Sequence, residues 1–118
     1  MLERPAGAGW RGLYNGSVPA PQLNERQKKH LRRLGHALHP VVMLGQAGLT
    51  DGVVAELELA LKSHELVKAR ARAGDRASRD TAFDALAVRT ASALVQRIGN
   101  VALFFRPNAP LSRIVLPD

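Results

Sequence analysis

The sequence contains no cysteine among its 118 residues. This absence excludes a disulfide framework, a cysteine-bound zinc site and a thiol nucleophile. It is also compatible with a reducing compartment, so we expect a cytoplasmic protein.

Long apolar runs are missing too, because no stretch approaches the roughly 20 apolar residues that span a bilayer. Glycines and prolines interrupt residues 1–21, which therefore lack the apolar core of a secretory signal. We expect no membrane association. We interpret residues 1–21 as a flexible N-terminal arm whose anchors are Trp10 and Tyr14.

The residue patterns that catalysis requires are not visible. The sequence shows no nucleophile paired with a base and no pair of carboxylates in contrasting surroundings. Its histidines lack further ligands at a metal-binding spacing, and we expect them to be packing or surface residues. We therefore predict no enzyme, no cofactor and no metal site. The histidines are His30, His36, His39 and His64.

Positive charge, by contrast, is abundant. Lys and Arg total 17 against 10 for Asp and Glu, which gives a net charge of +7 and a sequence pI near 11.1. Such a domain attracts polyanions, and nucleic acid is the leading class of partner. The alternative is a basic adaptor that binds an acidic protein. RNA that co-purifies with the protein would distinguish the two.

Hydrophobic periodicity predicts one compact α/β domain over residues 22–108, followed by a tail over residues 109–118. The tail could be loose, or it could pack Ile114 and Leu116 on the domain. The predicted order of elements is α-β-α-β-α-β-β. The helices are predicted at 25–38, 51–63 and 78–93, and the strands at 41–44, 66–73, 94–98 and 101–105.

The first helix and the last turn carry the clearest local signals. Asn24 and Gln27 have the spacing of a helix-capping pair. Leu31, Leu34 and Leu38 then recur at helical intervals and predict a core-facing stripe. Near the other end, a Gly-Asn pair at positions 99 and 100 suits a type II′ turn, so the last two strands should be antiparallel.

A glycine loop, Gly45-Gln46-Ala47-Gly48, lies between a predicted strand and a predicted helix. Because glycine has no Cβ, such a loop lets the backbone approach a bulky partner. Amides near a helix start can also donate to phosphate oxygens. The pattern alone is weak, since many Gly-x-x-Gly segments only turn the chain. Its position beside cationic segments favours nucleic-acid contact.

Two groups of cations flank this loop in the sequence. Those on the first helix could form a solvated face, but only Glu25 offers a nearby opposite charge, which favours phosphate binding. Those on the second strand alternate with small residues and should point the same way, to bind phosphate or to protect an exposed edge. Which group forms the main surface is left open. The helix cations are Arg26, Lys28, Lys29, Arg32 and Arg33, and the strand cations are Lys68, Arg70 and Arg72.

Aromatic residues offer few candidates for base stacking. Phe83, Phe104 and Phe105 are interpreted as core. Because neighbouring residues of a strand point to opposite faces, we expect one of Phe104 and Phe105 to point inward. If Phe104 faces solvent, it becomes a candidate for stacking on a base.

The stretch Pro40-Val-Val-Met-Leu-Gly-Gln-Ala-Gly-Leu-Thr50 resembles the signature of the CRM domain, the chloroplast RNA splicing and ribosome maturation module, in its stand-alone bacterial YhbY-type form. Further segments fit the same family, and the resemblance covers about residues 22–108. The fitting segments are 23–38, 64–68, 98–100 and 104–107.

The resemblance implies a mixed four-stranded sheet with three helices, similar to the C-terminal domain of translation initiation factor three. It also implies a glycine loop like that of KH domains, which clamps a nucleic-acid backbone. It further implies a protein that binds rRNA in precursors of the large ribosomal subunit and assists ribosome assembly. We expect this protein to be a monomer. The family often has a basic residue in the loop, where this sequence has Gln46 and Ala47. The flanking Lys and Arg side chains would then supply the charge.

Overall fold

The structure is a computed structural model that describes residues 20–108 and 112–118. An N-terminal arm anchored by Trp10 and Tyr14 is predicted for residues 1–21, and nearly all of these lie outside the residues that the structure describes. Within the described residues, the seven predicted elements follow in the predicted order. They are α1 Glu25–Gly35, β1 Val42–Leu44, α2 Asp51–His64, β2 Leu66–Ala71, α3 Arg76–Thr90, β3 Ala93–Ile98 and β4 Val101–Phe105.

Each helix begins after a polar side chain that accepts a hydrogen bond from the first turn. Asn24 accepts from the amide of Gln27, whose side chain in turn accepts from the amide of Asn24. Thr50 accepts from the amide of Val53 at the start of α2, and Asp75 accepts from the amide of Ser78 at the start of α3. Because these side chains satisfy amides that a helix leaves free, they determine where each helix starts.

The predicted bounds of the first and third helices were wrong. α3 begins at Arg76 rather than Ser78, because Asp75 caps it, and it ends at Thr90. α1 ends at Gly35 rather than Leu38.

The early end of α1 also changes which residues face the core. Leu31 is fully buried, whereas Leu34 and Leu38 are 40% and 36% exposed. At Gly35 the helix approaches the sheet so closely that a Cβ would lie 2.6 Å from a methyl carbon of Leu103. α1 therefore contacts the core through Leu31 and Gly35, and the predicted leucine stripe is only partly correct.

The strands form one mixed sheet in the order β1-β2-β4-β3. β1 pairs with β2 in parallel, and the other two pairings are antiparallel. The predicted hairpin between β3 and β4 is confirmed, with Gly99 at a φ of 59° in the left-handed region that glycine tolerates. The predicted mixed four-stranded sheet with three helices is also confirmed.

Helices cover both faces of this sheet. α2 and α3 pack on one face, where Phe104 meets Phe83 edge to face with ring centroids 6.1 Å apart. α1 packs on the other face, where it covers Phe105. Both adjacent phenylalanines are therefore buried, and the suggestion that Phe104 could stack on a base was wrong.

The C-terminal tail lies against the α1 side of the sheet. Ile114 and Leu116 pack against the core of that side, so the packed alternative applies to the described part of the tail. The Gln27 side chain donates to the carbonyl of Pro117 at 3.0 Å, which ties the end of the tail to α1.

Glu65 holds the start of the tail. Its side chain is completely buried and its backbone has a φ of 65°, in the region that non-glycine residues rarely adopt. Its carboxylate accepts hydrogen bonds from the amides of Asn108, Arg113 and Ile114 and from the Ser112 hydroxyl. Burial on its own would raise the pKa of Glu65, but these hydrogen bonds outweigh it and lower the pKa. The tail is thus fastened through a buried carboxylate.

Across residues 20–108 and 112–118, no helix is long and apolar enough to cross a membrane.

Candidate nucleic-acid interface

The glycine loop is a tight turn directly after β1. The amide of Gly48 donates to the carbonyl of Gly45 at 3.0 Å, and Gly48 has a φ of 68°, so the turn itself requires glycine there. Gly45 differs, because a Cβ at this position would meet no atom within 4 Å. The absence of a side chain at Gly45 therefore leaves open space in front of the backbone.

The loop leads into the N-terminus of α2. The Thr50 hydroxyl accepts from the amide of Val53 at 3.2 Å, and the preceding amides of the first turn have no partner within the helix. The positive end of the helix dipole lies at this terminus. The carboxylate of Asp51 in the first turn pairs with Arg89 at 2.9 Å, which offsets its negative charge. This end of α2 is suited to an anion.

Parallel pairing of β1 with β2 places two arginines beside the loop. Leu44 pairs with Ala71, so the end of β1 and the end of β2 lie next to each other. Arg70 and Arg72 flank Ala71 and are both exposed. Alternation along the strand directs them to the α1 side of the sheet, away from the core that α2 and α3 cover.

A groove of about 620 Å³ lies between the loop and these arginines. The turn between β3 and β4 supplies its far wall, because Asn100 binds both backbone groups of Ala71. The Asn100 side chain donates to the Ala71 carbonyl at 3.2 Å, and the Asn100 carbonyl accepts from the Ala71 amide at 2.8 Å. The lining residues are Gly45, Gln46, Arg70, Arg72 and Asn100.

A second, smaller cleft lies on the other side of the same loop, at the start of α3. Arg79 lines it together with the glycine loop, Gly74 and Ser78. One terminal nitrogen of Arg79 donates to the Gly74 carbonyl at 2.8 Å. Its Nε is buried and has no hydrogen-bond partner in the described part of the chain. The loop is therefore flanked by cationic side chains on both sides.

Neither Asn100 nor Arg79 was predicted from the sequence as a site residue. Both are far from the loop along the chain and reach it only through the folded sheet and α3. The Gly-Asn turn signal predicts a hairpin but does not indicate which strand end that hairpin contacts.

The remaining predicted site residues lie elsewhere. Lys68 points to the same face as Arg70 but is half-buried, and it lines an apolar groove at the opposite end of β2. On α1, the outermost cations are Arg26, Lys29 and Arg33, while Lys28 and Arg32 are half-buried on one flank. None of the five α1 cations, all within the described residues, lines the loop groove. The cations therefore form a loop surface and a separate helix surface.

The charges of both surfaces are largely unneutralised. Lys28 pairs with Glu25 at 3.5 Å. The other ion pairs formed by the described residues involve arginines outside the predicted site. The guanidinium groups of Arg70 and Arg72 thus have no carboxylate partner within that set and remain available to an anion.

The CRS1/YhbY (CRM) domain family model matches residues 23–106 of this chain. The chain belongs to the CRM family. It is 43% identical over 95 residues to a protein of Haemophilus influenzae named as an RNA-binding protein, covering 80% of this chain and 95% of that one. It is 44% identical over 96 residues to a Pseudomonas aeruginosa protein named "probable RNA-binding protein", covering 78% of this chain and 92% of that one.

A solved structure has the same fold. The solution structure of a hypothetical protein from Staphylococcus aureus, described as a candidate RNA-binding protein, matches with a TM-score of 0.72 and 27% identity. The match covers 81% of this chain and all of that one. The resemblance to the CRM domain that the sequence shows is therefore confirmed.

The chemistry available in this CRM domain is that of anion binding. The guanidinium groups of Arg70 and Arg72 and the amide side chain of Asn100 line the loop groove together with Gly45. Among the residues that the structure describes, no cluster of three His, Asp or Glu side chains could hold a metal ion.

Proposed function

We propose that this protein binds RNA through the groove between its glycine loop and β2, and that it acts by binding rather than by catalysis. The observation that carries the proposal is the convergence of Gly45, which leaves its backbone open, with Arg70 and Arg72, which have no carboxylate partner among the described residues. A phosphate in this groove could accept hydrogen bonds from the arginines while the sugar-phosphate chain approaches the glycine.

The names of the relatives favour RNA over other polyanions, since the Haemophilus influenzae and Pseudomonas aeruginosa proteins are named as RNA-binding and probable RNA-binding proteins. The predicted α1 cations extend the surface in this proposal. They would add contacts to phosphates beyond the groove and strengthen binding without reading the sequence. Most groups at the interface are phosphate binders, so we expect a modest preference for RNA over DNA of the same sequence.

The finer part of the proposal concerns the natural partner. The resemblance of this protein to stand-alone bacterial YhbY-type proteins supports rRNA within large-subunit precursors as the target. The protein would then assist ribosome assembly in the cytoplasm as a monomer. Crosslinking in cells followed by sequencing of the bound RNA tests this part separately. If most of the sequenced RNA were mRNA or tRNA, the proposed rRNA target would be contradicted.

Binding affinity measured against salt concentration tests the general proposal. Each phosphate contact to a single strand contributes about 0.7 to the slope of log K against log salt, because bound counterions are released. Contacts from Arg70 and Arg72 alone would give a slope near 1.4 in magnitude, and full use of the five α1 cations would raise it to about 4.9. A response that is flat in salt would contradict the proposal.

A variant of α1 tests whether RNA contacts the helix surface in addition to the loop groove. Replacing Lys28, Lys29, Arg32 and Arg33 with Gln should leave the fold intact, because none of them belongs to the buried core. If all four contact phosphates, the slope falls by about 2.8. An unchanged slope would limit the interface to the loop groove.

A further inference from the structure

An apolar groove of about 510 Å³ lies at the other end of the sheet face that carries the predicted strand cations. The groove lies between the C-terminal end of α1 and the starts of β1 and β2. Its apolar lining includes Leu34, Leu38, Val41 and, from the tail, Ile114.

Exposed apolar surface is concentrated in this groove. Leu34, Leu38 and Val41 are 40%, 36% and 59% exposed. They are three of the seven large apolar side chains that are exposed in the described part of the chain, and the three share one concave site. Apolar side chains exposed singly are normal, but a cluster in a concavity indicates a binding site.

The polar groups of the groove are cationic or neutral. Lys68 and the imidazoles of His39 and His64 are the polar side chains that line it. The nearby carboxylate of Glu65 is engaged by the tail amides, as its hydrogen bonds show. The groove therefore favours a ligand that joins an apolar face to negative charge.

Continuity with the loop groove indicates what that ligand is. Lys68 and Arg70 on β2 and Arg72 directly after it alternate along the chain and point to one side of the sheet. Lys68 lines the apolar groove, while Arg70 and Arg72 line the loop groove. At about 3.3 Å per residue, Lys68 and Arg72 are about 13 Å apart along the strand. A line of cations thus connects the two grooves.

We propose that the apolar groove is a subsite for an unpaired nucleobase of the bound RNA, an inference that rests on the proposed function. The RNA backbone follows Arg72, Arg70 and Lys68 from the loop, and a base turns into the groove between α1 and β1. A base has an apolar face and polar edges, which match the leucine and valine side chains and the two imidazoles. Bases in a duplex are stacked and cannot enter, so the inference assigns single-stranded or loop RNA as the substrate class.

Two ligands of equal charge test this inference. One is an eight-nucleotide uridine oligomer, and the other is the same ribose-phosphate chain without bases. We expect the wild-type protein to bind the uridine oligomer at least fivefold more tightly. In the variant Leu38→Asn with Val41→Asn, the two ligands should bind alike and the salt slope should stay unchanged. The matched control is Leu59→Asn with Val88→Asn, which alters exposed apolar residues on the outer faces of α2 and α3 and should behave as wild type.

The outcomes separate the inference from the proposed function. If wild-type protein binds both oligomers equally, the base subsite is refuted while RNA binding stands. If it binds neither, the proposed function fails and this inference fails with it. If the groove variant keeps the wild-type melting temperature and still distinguishes the ligands, the base lies elsewhere and the inference is overturned.

A measurement on the unaltered protein removes the dependence on variants. The methyl NMR signals of Leu34, Leu38, Val41 and Ile114 should shift on addition of the uridine oligomer and remain in place with the base-free chain. Shifts that instead follow protein concentration without RNA would assign the groove to a second copy of the chain and overturn the inference.

Discussion

Replacing Glu65 with Gln should loosen the C-terminal tail without dissolving the core. The side chain keeps its shape, but one oxygen that accepts hydrogen bonds becomes an amino group that donates them. One carboxylate oxygen accepts from the amide of Asn108 at 2.6 Å. The other accepts from the amides of Arg113 and Ile114 at 2.9 and 3.1 Å and from the hydroxyl of Ser112 at 3.3 Å.

The magnitude follows from this division of partners. The amino group of Gln should turn toward Asn108, because the other orientation would leave three donors without an acceptor. One amide then loses its acceptor, at a cost of about 1 to 3 kcal/mol. The remaining hydrogen bonds weaken because the acceptor is no longer charged. We expect the free energy of unfolding to fall by about 2 to 4 kcal/mol in total.

The pH dependence supplies a second check. The pKa of Glu65 is lowered from its ordinary value of 4.5, because the hydrogen bonds of the tail outweigh burial. A lowered pKa in the folded state means that the stabilisation is complete above the unfolded pKa and is lost as pH falls through the folded pKa. The difference between wild type and the Glu65→Gln variant should therefore be largest near neutral pH and shrink below about pH 4.5.

Urea unfolding followed by circular dichroism measures both effects. The wild type and Glu65→Gln are compared at pH 7 and at successively lower pH. A difference below about 0.5 kcal/mol at pH 7, the size of an ordinary surface substitution, would show that the tail is not held by this carboxylate. If the difference in unfolding free energy between the two proteins does not change with pH, the ionised form of Glu65 is not what holds the tail.

Three further predictions concern α1 and the loop groove. Gly35→Ala should lower the melting temperature by about 4 to 8 °C, because overpacking against Leu103 costs about 1 to 3 kcal/mol and alanine recovers up to about 1 kcal/mol of this through its higher helix propensity. An unchanged thermal melt would show that Leu103 moves aside freely. Gly45→Ala should melt as wild type, since its Cβ meets nothing within 4 Å, yet bind RNA at least threefold more weakly in a titration; unimpaired binding would mean that RNA does not approach this backbone. Arg70→Gln with Arg72→Gln should lower the salt slope of RNA binding by about 1.4 with no change in melting temperature, and an unaltered slope would exclude both side chains from phosphate contact.

The features of the fold that could be predicted depend on neighbours in sequence. The pairing of Asn24 with Gln27 requires only a few adjacent residues, and it is present as predicted. α1 ends instead at Gly35, where the helix lies close against Leu103, a residue remote in sequence. Periodicity alone therefore extended the leucine stripe beyond the helix.

The same distinction applies to the site. The glycine loop could be located because a strand, a turn and a helix cap follow one another along the chain. Pairing of β1 with β2 then brings Arg70 and Arg72 beside it, whereas the half-buried position of Lys68 depends on how α1 crosses the sheet. Asn100 reaches the groove only because β4 lies next to β2, and the strand order cannot be read from local patterns.

The central claim is that RNA binds at the glycine loop rather than through diffuse attraction to a basic protein. Gln46→Asp with Ala47→Asp places two carboxylates at exposed positions of the loop and leaves both glycines in place. Leu59→Asp with Val88→Asp adds the same charge at exposed positions of α2 and α3 that line neither groove, and it serves as the matched control. Both proteins should fold, and fluorescence titration with RNA should show the loop variant more than tenfold weaker than the control, a difference of about 1.4 kcal/mol or more. Equal affinities of the two variants would contradict a localised site at the loop.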